Sequence, residues 1–218
     1  MERGWVGRIE GDHVVHLAAQ TLQAFFSGGG SAREHAVYPR EGVRLLAPVL
    51  HPPAVRVFDD QRSFAFANPA AIVGPGAQVA SPRDGSAGLV LHARLAAVMG
   101  AEGAIGGYSV FAEWRDPVRP QPKDRDFAFG LGPVVLTAEH LGPAEPEGVV
   151  RLGDAEALRA SFVRFDWDGA GRLAADGTTL LPGDILAGPA LEPVVVPSGR
   201  AVEVEVAEIG TLDALVGG

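Results

Sequence analysis

The chain has 218 residues, with 27 acidic residues against 18 Lys and Arg and a formal net charge of −9. This balance argues against a protein that binds nucleic acid or an anionic membrane, because both need clustered Lys and Arg. The lack of Cys excludes disulfides, thiolate metal sites and Cys nucleophiles. The charged N-terminal stretch, and the lack of an apolar run of membrane-spanning length, predict a cytoplasmic protein.

The first 42 residues are predicted to form a small N-terminal lobe. Residues 5–10 and 13–17 alternate about Gly11-Asp12, which indicates a β-hairpin. Residues 18–26 place apolar side chains on one helical face, so this stretch is predicted to be a helix.

The remainder, residues 43–218, is predicted to be rich in short β-strands. Gly and Pro separate short apolar or alternating stretches, and only residues 154–158 indicate a short turn or helix. This pattern favours a mixed, β-rich (α+β) fold built as a sandwich or a rolled sheet. The predicted strands are residues 43–50, 55–58, 63–67, 71–73, 89–99, 107–111, 134–137, 161–166, 184–187 and 201–209.

Five segments of the β-rich part follow one another in a recognisable order. They are an entry strand and turn, an apolar strand ending in Gly, a Gly-Tyr segment, a Lys-x-x-Asp segment and a Leu-x-Pro-Gly-Asp strand. In this order they resemble the fumarylacetoacetate hydrolase family, from about residue 43 to the C-terminus, and residues 1–42 resemble its short N-terminal lobe. The segments are residues 66–76, 95–100, 106–111, 123–127 and 181–188.

The resemblance implies a twisted β-roll around a small-molecule site. It also implies a divalent cation, usually Mg²⁺ or Mn²⁺, and the hydrolysis, decarboxylation or isomerisation of compounds with a 1,3-dicarbonyl or pyruvyl group. Many members of the family are homodimers. We therefore expect a homodimer whose ligand is a small carboxylate.

The metal-ligand positions implied by the resemblance are changed in this chain. The family's Glu-x-Glu pair corresponds to His92 and Arg94, and its Asp corresponds to Glu113. A hard divalent cation needs several oxygen ligands, whereas Arg carries a permanent positive charge. The sequence therefore predicts no Mg²⁺ or Mn²⁺ site, and leaves open a Zn²⁺ site at His92 and Glu113 with a third ligand.

A second expectation concerns Arg94 itself. Its guanidinium is predicted to occupy the vacated metal position and to pair with Glu113, because a buried Arg without a carboxylate partner is costly.

The water-activating His of the family's hydrolases is absent from residues 57–63, and the segment is shorter than in the family. Asp59 or Asp60 offers an alternative base, while a solvated turn is the simpler interpretation. The family's closing Gly-Thr-Pro is reduced to Gly188-Pro189, which we interpret as a tight turn.

Four residues remain candidates for binding a ligand. Arg115 and Lys123 occupy positions that resemble the family's Arg-Asp and anion-binding Lys, and either side chain can pair with a substrate carboxylate. Arg94 would offer a cation in place of the metal, and Tyr108 belongs to the Gly-Tyr segment.

Three functions are compatible with these residues. The first is a member of the family that is inactive, or that binds a small oxo-carboxylate. The second is an active hydrolase, decarboxylase or tautomerase for acylpyruvate or oxaloacetate-like compounds, in which a cationic side chain stabilises the enolate without metal. The third is a structural partner subunit.

Overall fold

The computed structural model describes residues 4–80, 88–142 and 145–217. Within these ranges the strands form an eight-stranded, a five-stranded and a three-stranded sheet. The strands are β1 (Gly7–Glu10), β2 (His13–Leu17), β3 (Glu34–Pro39), β4 (Val55–Val57), β5 (Ala65–Ala67), β6 (Ile72–Val73), β7 (Ala77–Val79), β8 (Leu89–Met99), β9 (Ile105–Arg115), β10 (Phe129–Thr137), β11 (Glu147–Leu152), β12 (Ala155–Ser161), β13 (Ile185–Ala190), β14 (Val194–Val196), β15 (Ala201–Val206) and β16 (Gly210–Val216).

Two α-helices accompany these sheets, α1 (Leu22–Ser27) and α2 (Trp167–Ala175). No helix in the described residues is both long and apolar enough to cross a membrane. Because strands far outnumber helices in the described residues, the predicted β-rich fold is confirmed.

The long antiparallel strands β8 and β9 form the centre of the large sheet. The strand order is β5-β4-β13-β8-β9-β10-β6, and β14 also pairs with β8. Nearly every residue of β8 is buried, in agreement with its almost continuous apolar sequence. This central pair has a different core on each of its faces.

On one face, which we call the aromatic core, lie Leu95, Tyr108 and Trp114, together with side chains of the five-stranded sheet and α2. On the other face, which we call the lobe-side core, Ala96 and Phe111 pack with Phe26 of the N-terminal lobe. Because strand side chains alternate, neighbouring residues of β8 and β9 belong to different cores.

The segment predicted to be an N-terminal lobe contains the predicted hairpin, β1 and β2, joined at Gly11 with a φ of 55°. The predicted helix is present but begins at Leu22, because Thr21 caps it by accepting a hydrogen bond from the Ala24 N–H. Phe26 of this helix is buried in the lobe-side core. The lobe thus packs directly on the central sheet.

Three predicted elements are wrong. Residues 43–50 form no strand, since Pro48 and the following Pro52-Pro53 lack the N–H groups of a ladder. Residues 154–158 are mostly strand β12, because pairing with β11 outweighs local helix propensity. Residues 161–166 are mostly irregular and lead into α2.

Candidate functional site

Arg94 in β8 is completely buried and surrounded by oxygen atoms. Its Nε donates to Glu113 Oε2 at 2.9 Å, and Nη2 lies 2.7 Å from both that oxygen and Asp59 Oδ1. Nη1 donates to the carbonyl oxygens of Phe58 and Gly188, at 2.9 Å each. The predicted pairing of Arg94 with Glu113 is confirmed.

The oxygen atoms around Arg94 come from neighbouring strands of the large sheet. Glu113 projects from β9, Gly188 belongs to β13, and Phe58 directly follows β4. The register between β13 and β8 shifts between Ala187 and Ala190, so the chain bulges there. The bulge includes Pro189, and it leaves the Gly188 carbonyl to face Arg94 rather than a ladder partner.

Four of the five N–H bonds of the guanidinium donate to protein oxygens, and Nη2 also lies within ion-pair distance of Glu113. Since the side chain is also completely buried, Arg94 presents no accessible donor to a ligand in this arrangement. Its place in the site is that of an internal cation. The sequence also made Arg94 a candidate for binding a ligand. It did not indicate that the main-chain carbonyls of Phe58 and Gly188 would accept hydrogen bonds from this side chain.

Glu113 lies between two arginines. Arg94 contacts its Oε2, and the Nε of Arg115 donates to its Oε1 at 2.8 Å. Burial raises the pKa of Glu113, but the charges of Arg94 and Arg115 outweigh burial, so the pKa lies below its ordinary value. Glu113 is therefore ionised at neutral pH, and both of its oxygens are engaged.

The short segment after β4 covers the Arg94 guanidinium. Burial raises the pKa of Asp59, but the hydrogen bond from Arg94 and nearby arginine charges outweigh it, so this pKa is lowered. Asp60 instead accepts a hydrogen bond from the Arg62 N–H and shapes the turn. Asp59 thus contributes to the Arg94 cluster, a role that the sequence did not indicate.

Gln61 fixes this segment to the start of α2. Its side chain donates to the Asp166 carbonyl at 2.8 Å and accepts from the Asp166 N–H at 3.0 Å. Asp166 in turn caps α2 by accepting a hydrogen bond from the Gly169 N–H at 2.9 Å. The shortened segment within residues 57–63 is therefore tied to the N-terminal end of a helix.

His92 lies directly opposite Glu113 in the β8–β9 ladder. Burial and the charge of Arg115 lower the pKa of His92 to about 4, against the smaller opposing effect of Glu113. The imidazole is therefore neutral at pH 7.

These residues do not fit the divalent cation that the family resemblance implies. The Arg94 guanidinium contacts both Glu113 and Asp59, so the nearby carboxylates are already neutralised by a permanent cation. In the described part of the chain, no group of three or more His, Asp or Glu side chains is placed to hold a metal ion. A third ligand for a zinc site at His92 and Glu113 is likewise not found among those residues.

The other two candidates make no hydrogen bond or ion pair with this cluster in the described residues. Lys123 is exposed, and its Nζ contacts Asp126 Oδ2 at 2.7 Å. Tyr108 pairs with Ala97 in the ladder and belongs to the aromatic core, on the face opposite to Arg94. The structure therefore brings together Arg94, Arg115, His92 and Glu113, but not Tyr108.

A buried ion pair that sequence reasoning missed lies in another part of the large sheet. Arg56 of β4 contacts Asp184 at 3.2 Å, and the Asp184 carboxylate also accepts from the Leu181 N–H. Gly183 has a φ of 88°, which permits the tight turn of the Leu-x-Pro-Gly-Asp segment. The Asp of that segment could have indicated a buried polar contact. The sequence around Arg56 gave no indication that this Arg is its partner.

Solved structures of known enzymes share this fold. Maleylpyruvate hydrolase from Sphingobium sp. SYK-6, in complex with manganese(II) and pyruvate, has a TM-score of 0.85 and 19% identity, over 100% of this chain and 98% of the hydrolase chain. A 2-hydroxyhepta-2,4-diene-1,7-dioate isomerase from Mycobacterium marinum has a TM-score of 0.78 and 20% identity, over 98% and 92% of the two chains.

A third similar structure is 2-keto-3-deoxy-D-arabinonate dehydratase, complexed with magnesium and 2,5-dioxopentanoate. Its TM-score is 0.80 at 18% identity, over 97% of this chain and 94% of the dehydratase chain. No family model and no curated protein sequence matches the chain. The fold predicted from the fumarylacetoacetate hydrolase resemblance is confirmed by these structures.

Proposed function

We propose that this chain is a fumarylacetoacetate hydrolase-type protein that binds a small oxo-carboxylate without a divalent metal. The observation that carries the proposal is the contact of the buried Arg94 with Glu113 and Asp59. An internal guanidinium then neutralises Glu113, the one carboxylate kept at the ligand positions that the resemblance implies. Metal-dependent hydrolysis is not part of this proposal, because two of the three family ligand positions hold His92 and Arg94.

Arg115 is the group best placed to receive the ligand carboxylate. Its Nε is held by Glu113, its side chain is 22% exposed, and its two Nη groups have no hydrogen-bond partner among the described residues. An Arg presents its nitrogen donors in a planar fork that matches a carboxylate. Lys123, with its exposed side chain paired to Asp126, is the weaker candidate.

The first test measures thermal stability with ligand and with metal. We expect pyruvate or oxaloacetate to raise the melting temperature equally with and without a chelator, by about 2–4 °C per kcal/mol of binding. Low-millimolar Mg²⁺ or Mn²⁺ should leave the melting temperature unchanged. Stabilisation by either metal would contradict the proposal.

Two matched variants locate the carboxylate. Arg115→Gln should abolish the stabilisation by pyruvate, whereas Lys123→Gln should retain it. The opposite result would assign the ligand to Lys123. Circular dichroism of each variant shows that the fold is kept, because Arg115 also contacts Glu113.

A third variant tests the metal-ligand positions. Replacing His92→Glu together with Arg94→Glu places three carboxylates where the family resemblance puts its ligands. We expect this double variant to gain affinity for Mg²⁺ or Mn²⁺, measured by calorimetry, while the parent chain shows none. A folded double variant without metal affinity would contradict the correspondence of these positions.

A second candidate function is metal-free tautomerisation of an oxaloacetate-like compound. The neutral imidazole of His92, close to Arg115, favours it. His92 would accept the proton from the carbon next to the carbonyl, Arg115 would stabilise the enolate oxygen, and the proton would return to that oxygen. Enol–keto conversion followed by absorbance, with His92→Gln as the comparison, would separate this activity from binding alone.

The family resemblance supports two further parts of the proposal, a homodimer and a cytoplasmic location. Sedimentation of the purified full chain would measure the mass, and a monomer at micromolar concentration would contradict the dimer.

A further inference from the structure

A cavity lies on the face of the β8–β9 pair opposite to Arg94. It has a volume of about 210 Å³ and is partly open. A dry apolar cavity of about 150 Å³ is large enough for benzene, so this one has room for a single substituted ring. Its walls include Leu95, Tyr108, Ala138, Phe162, Phe165 and Trp167.

The aromatic walls of the cavity support one another. Trp167 packs edge-to-face against Tyr108, with ring centroids 5.4 Å apart, and against Phe165 at 4.8 Å. Trp167 begins α2, whose cap Asp166 exchanges two backbone hydrogen bonds with the Gln61 side chain, one in each direction. The aromatic walls are therefore held in place before any ligand arrives.

Tyr108 supplies an unused polar group at this cavity. The residue is 9% exposed, and its hydroxyl has no hydrogen-bond partner among the described residues. Burial and the nearby charge of Asp168 raise the pKa of Tyr108, so the hydroxyl stays protonated at neutral pH. The hydroxyl oxygen is not sealed within the core but is open to the cavity, so a ligand there can accept its hydrogen bond.

The charges around the cavity disfavour an anion. Arg164 and Glu145 line its opening and are exposed, so they offset each other. The carboxylate of Asp168 is close enough to act on Tyr108. The net charge of these three side chains is negative, so this cavity differs in charge from the Arg115 region on the opposite face.

We infer that this cavity binds a small, uncharged, planar molecule of about one ring, which accepts the Tyr108 hydroxyl hydrogen bond through a carbonyl oxygen. The aromatic walls bury the faces and edges of the ring. The ligand differs in charge from the oxo-carboxylate proposed for Arg115, and the site does not depend on that proposal.

Benzamide is a suitable probe, because it combines one planar ring with an uncharged carbonyl. Its binding to the full chain can be measured by ligand-observed NMR titration, with benzoate as the charged comparison. We expect saturable binding of benzamide and weaker binding of benzoate. A lack of benzamide binding, or tighter binding of benzoate, would overturn the inference.

Three variants place the probe in the cavity. Tyr108→Phe keeps the ring and should weaken benzamide binding about threefold to tenfold, the range expected for one hydrogen bond. Ala138→Phe should fill the cavity and abolish binding. Tyr38→Phe changes the other, exposed tyrosine and should have no effect.

Unchanged affinity in a folded Tyr108→Phe variant would overturn the inference, as would a folded Ala138→Phe variant that still binds. Pyruvate binding, measured in parallel, should be equal in all four proteins. If the parent chain binds benzamide but not pyruvate, the function proposed for Arg115 is contradicted, while the inference about the cavity stands.

Discussion

On one face of the β8–β9 pair, Arg94 is buried with a protein oxygen bonded to each of its three guanidinium nitrogens; on the other, Tyr108 has a hydroxyl that makes no hydrogen bond to a described residue. The two side chains are 14 positions apart in sequence but belong to the same ladder. A saturated polar group holds structure, because its removal leaves partners unpaired. An unsatisfied one contributes little to stability and is open to a ligand.

The strongest test of this difference is Arg94→Met. The substitution leaves the buried Glu113 with Arg115 as its remaining cationic partner, and it removes the donor to the Phe58 and Gly188 carbonyls. We therefore expect a loss of about 3–5 kcal/mol in the free energy of unfolding, measured with urea. The double variant Arg94→Met with Glu113→Leu removes both charges and should lose less. A single-variant loss below about 1 kcal/mol would show that the contacts of Arg94 are not structural.

The pH dependence of stability gives a second test through His92. In the unfolded chain His92 takes up a proton near its ordinary pKa of 6.5, whereas in the folded chain it stays neutral down to about pH 4. The unfolded state thus binds more protons in this window, and stability falls as the pH falls from 6.5 to 4.

His92→Gln should remove part of that fall. We expect the unfolding free energy of the variant to decline by about 1–2 kcal/mol less than that of the parent over this range, a value reduced for partial exposure. Urea unfolding at several pH values measures the difference. Parallel curves for the two proteins would contradict a neutral, half-buried imidazole.

Asp59 and Asp60 form a matched pair of smaller effect. Asp59→Asn weakens a contact with Arg94, but its side chain is 73% exposed, so we expect a loss of at most about 1 kcal/mol. Asp60→Asn, on the same segment, keeps an oxygen for the Arg62 N–H and should be almost neutral. If Asp59→Asn lost as much unfolding free energy as Arg94→Met, the exposed Asp59 carboxylate would be the group that stabilises the cluster most.

Local signals account for much of what the sequence predicted. The apolar run of β8 predicted the strand with its observed bounds of Leu89–Met99, because both of its faces are buried. The family resemblance, together with the cost of burying an Arg without a carboxylate partner, predicted that Arg94 pairs with Glu113. Helix α2 was missed, since Gly169 and Gly171 weaken its helical pattern.

The missing parts of the site depend on tertiary geometry. The Gly188 carbonyl reaches Arg94 only because β13 bulges, and a bulge at Gly188-Pro189 resembles a simple turn in the sequence. The Asp59 contact likewise depends on how β4 lies against β13. Such contacts have no local pattern, so residue types alone did not identify them.

The smallest expected effect concerns the two hydroxyl groups at adjacent positions of β9. Ser109 is fully buried, and its Oγ donates to the Val134 carbonyl at 2.8 Å, so Ser109→Ala should cost about 1 kcal/mol. Tyr108→Phe removes a hydroxyl without a described partner and should change the unfolding free energy by less than about 0.5 kcal/mol. Urea unfolding of both variants gives the contrast directly. A loss of unfolding free energy above about 1 kcal/mol for Tyr108→Phe would mean that the hydroxyl already has a hydrogen-bond partner in the unliganded protein. The polar side chains on both faces would then stabilise the fold, and the difference between the two faces would disappear.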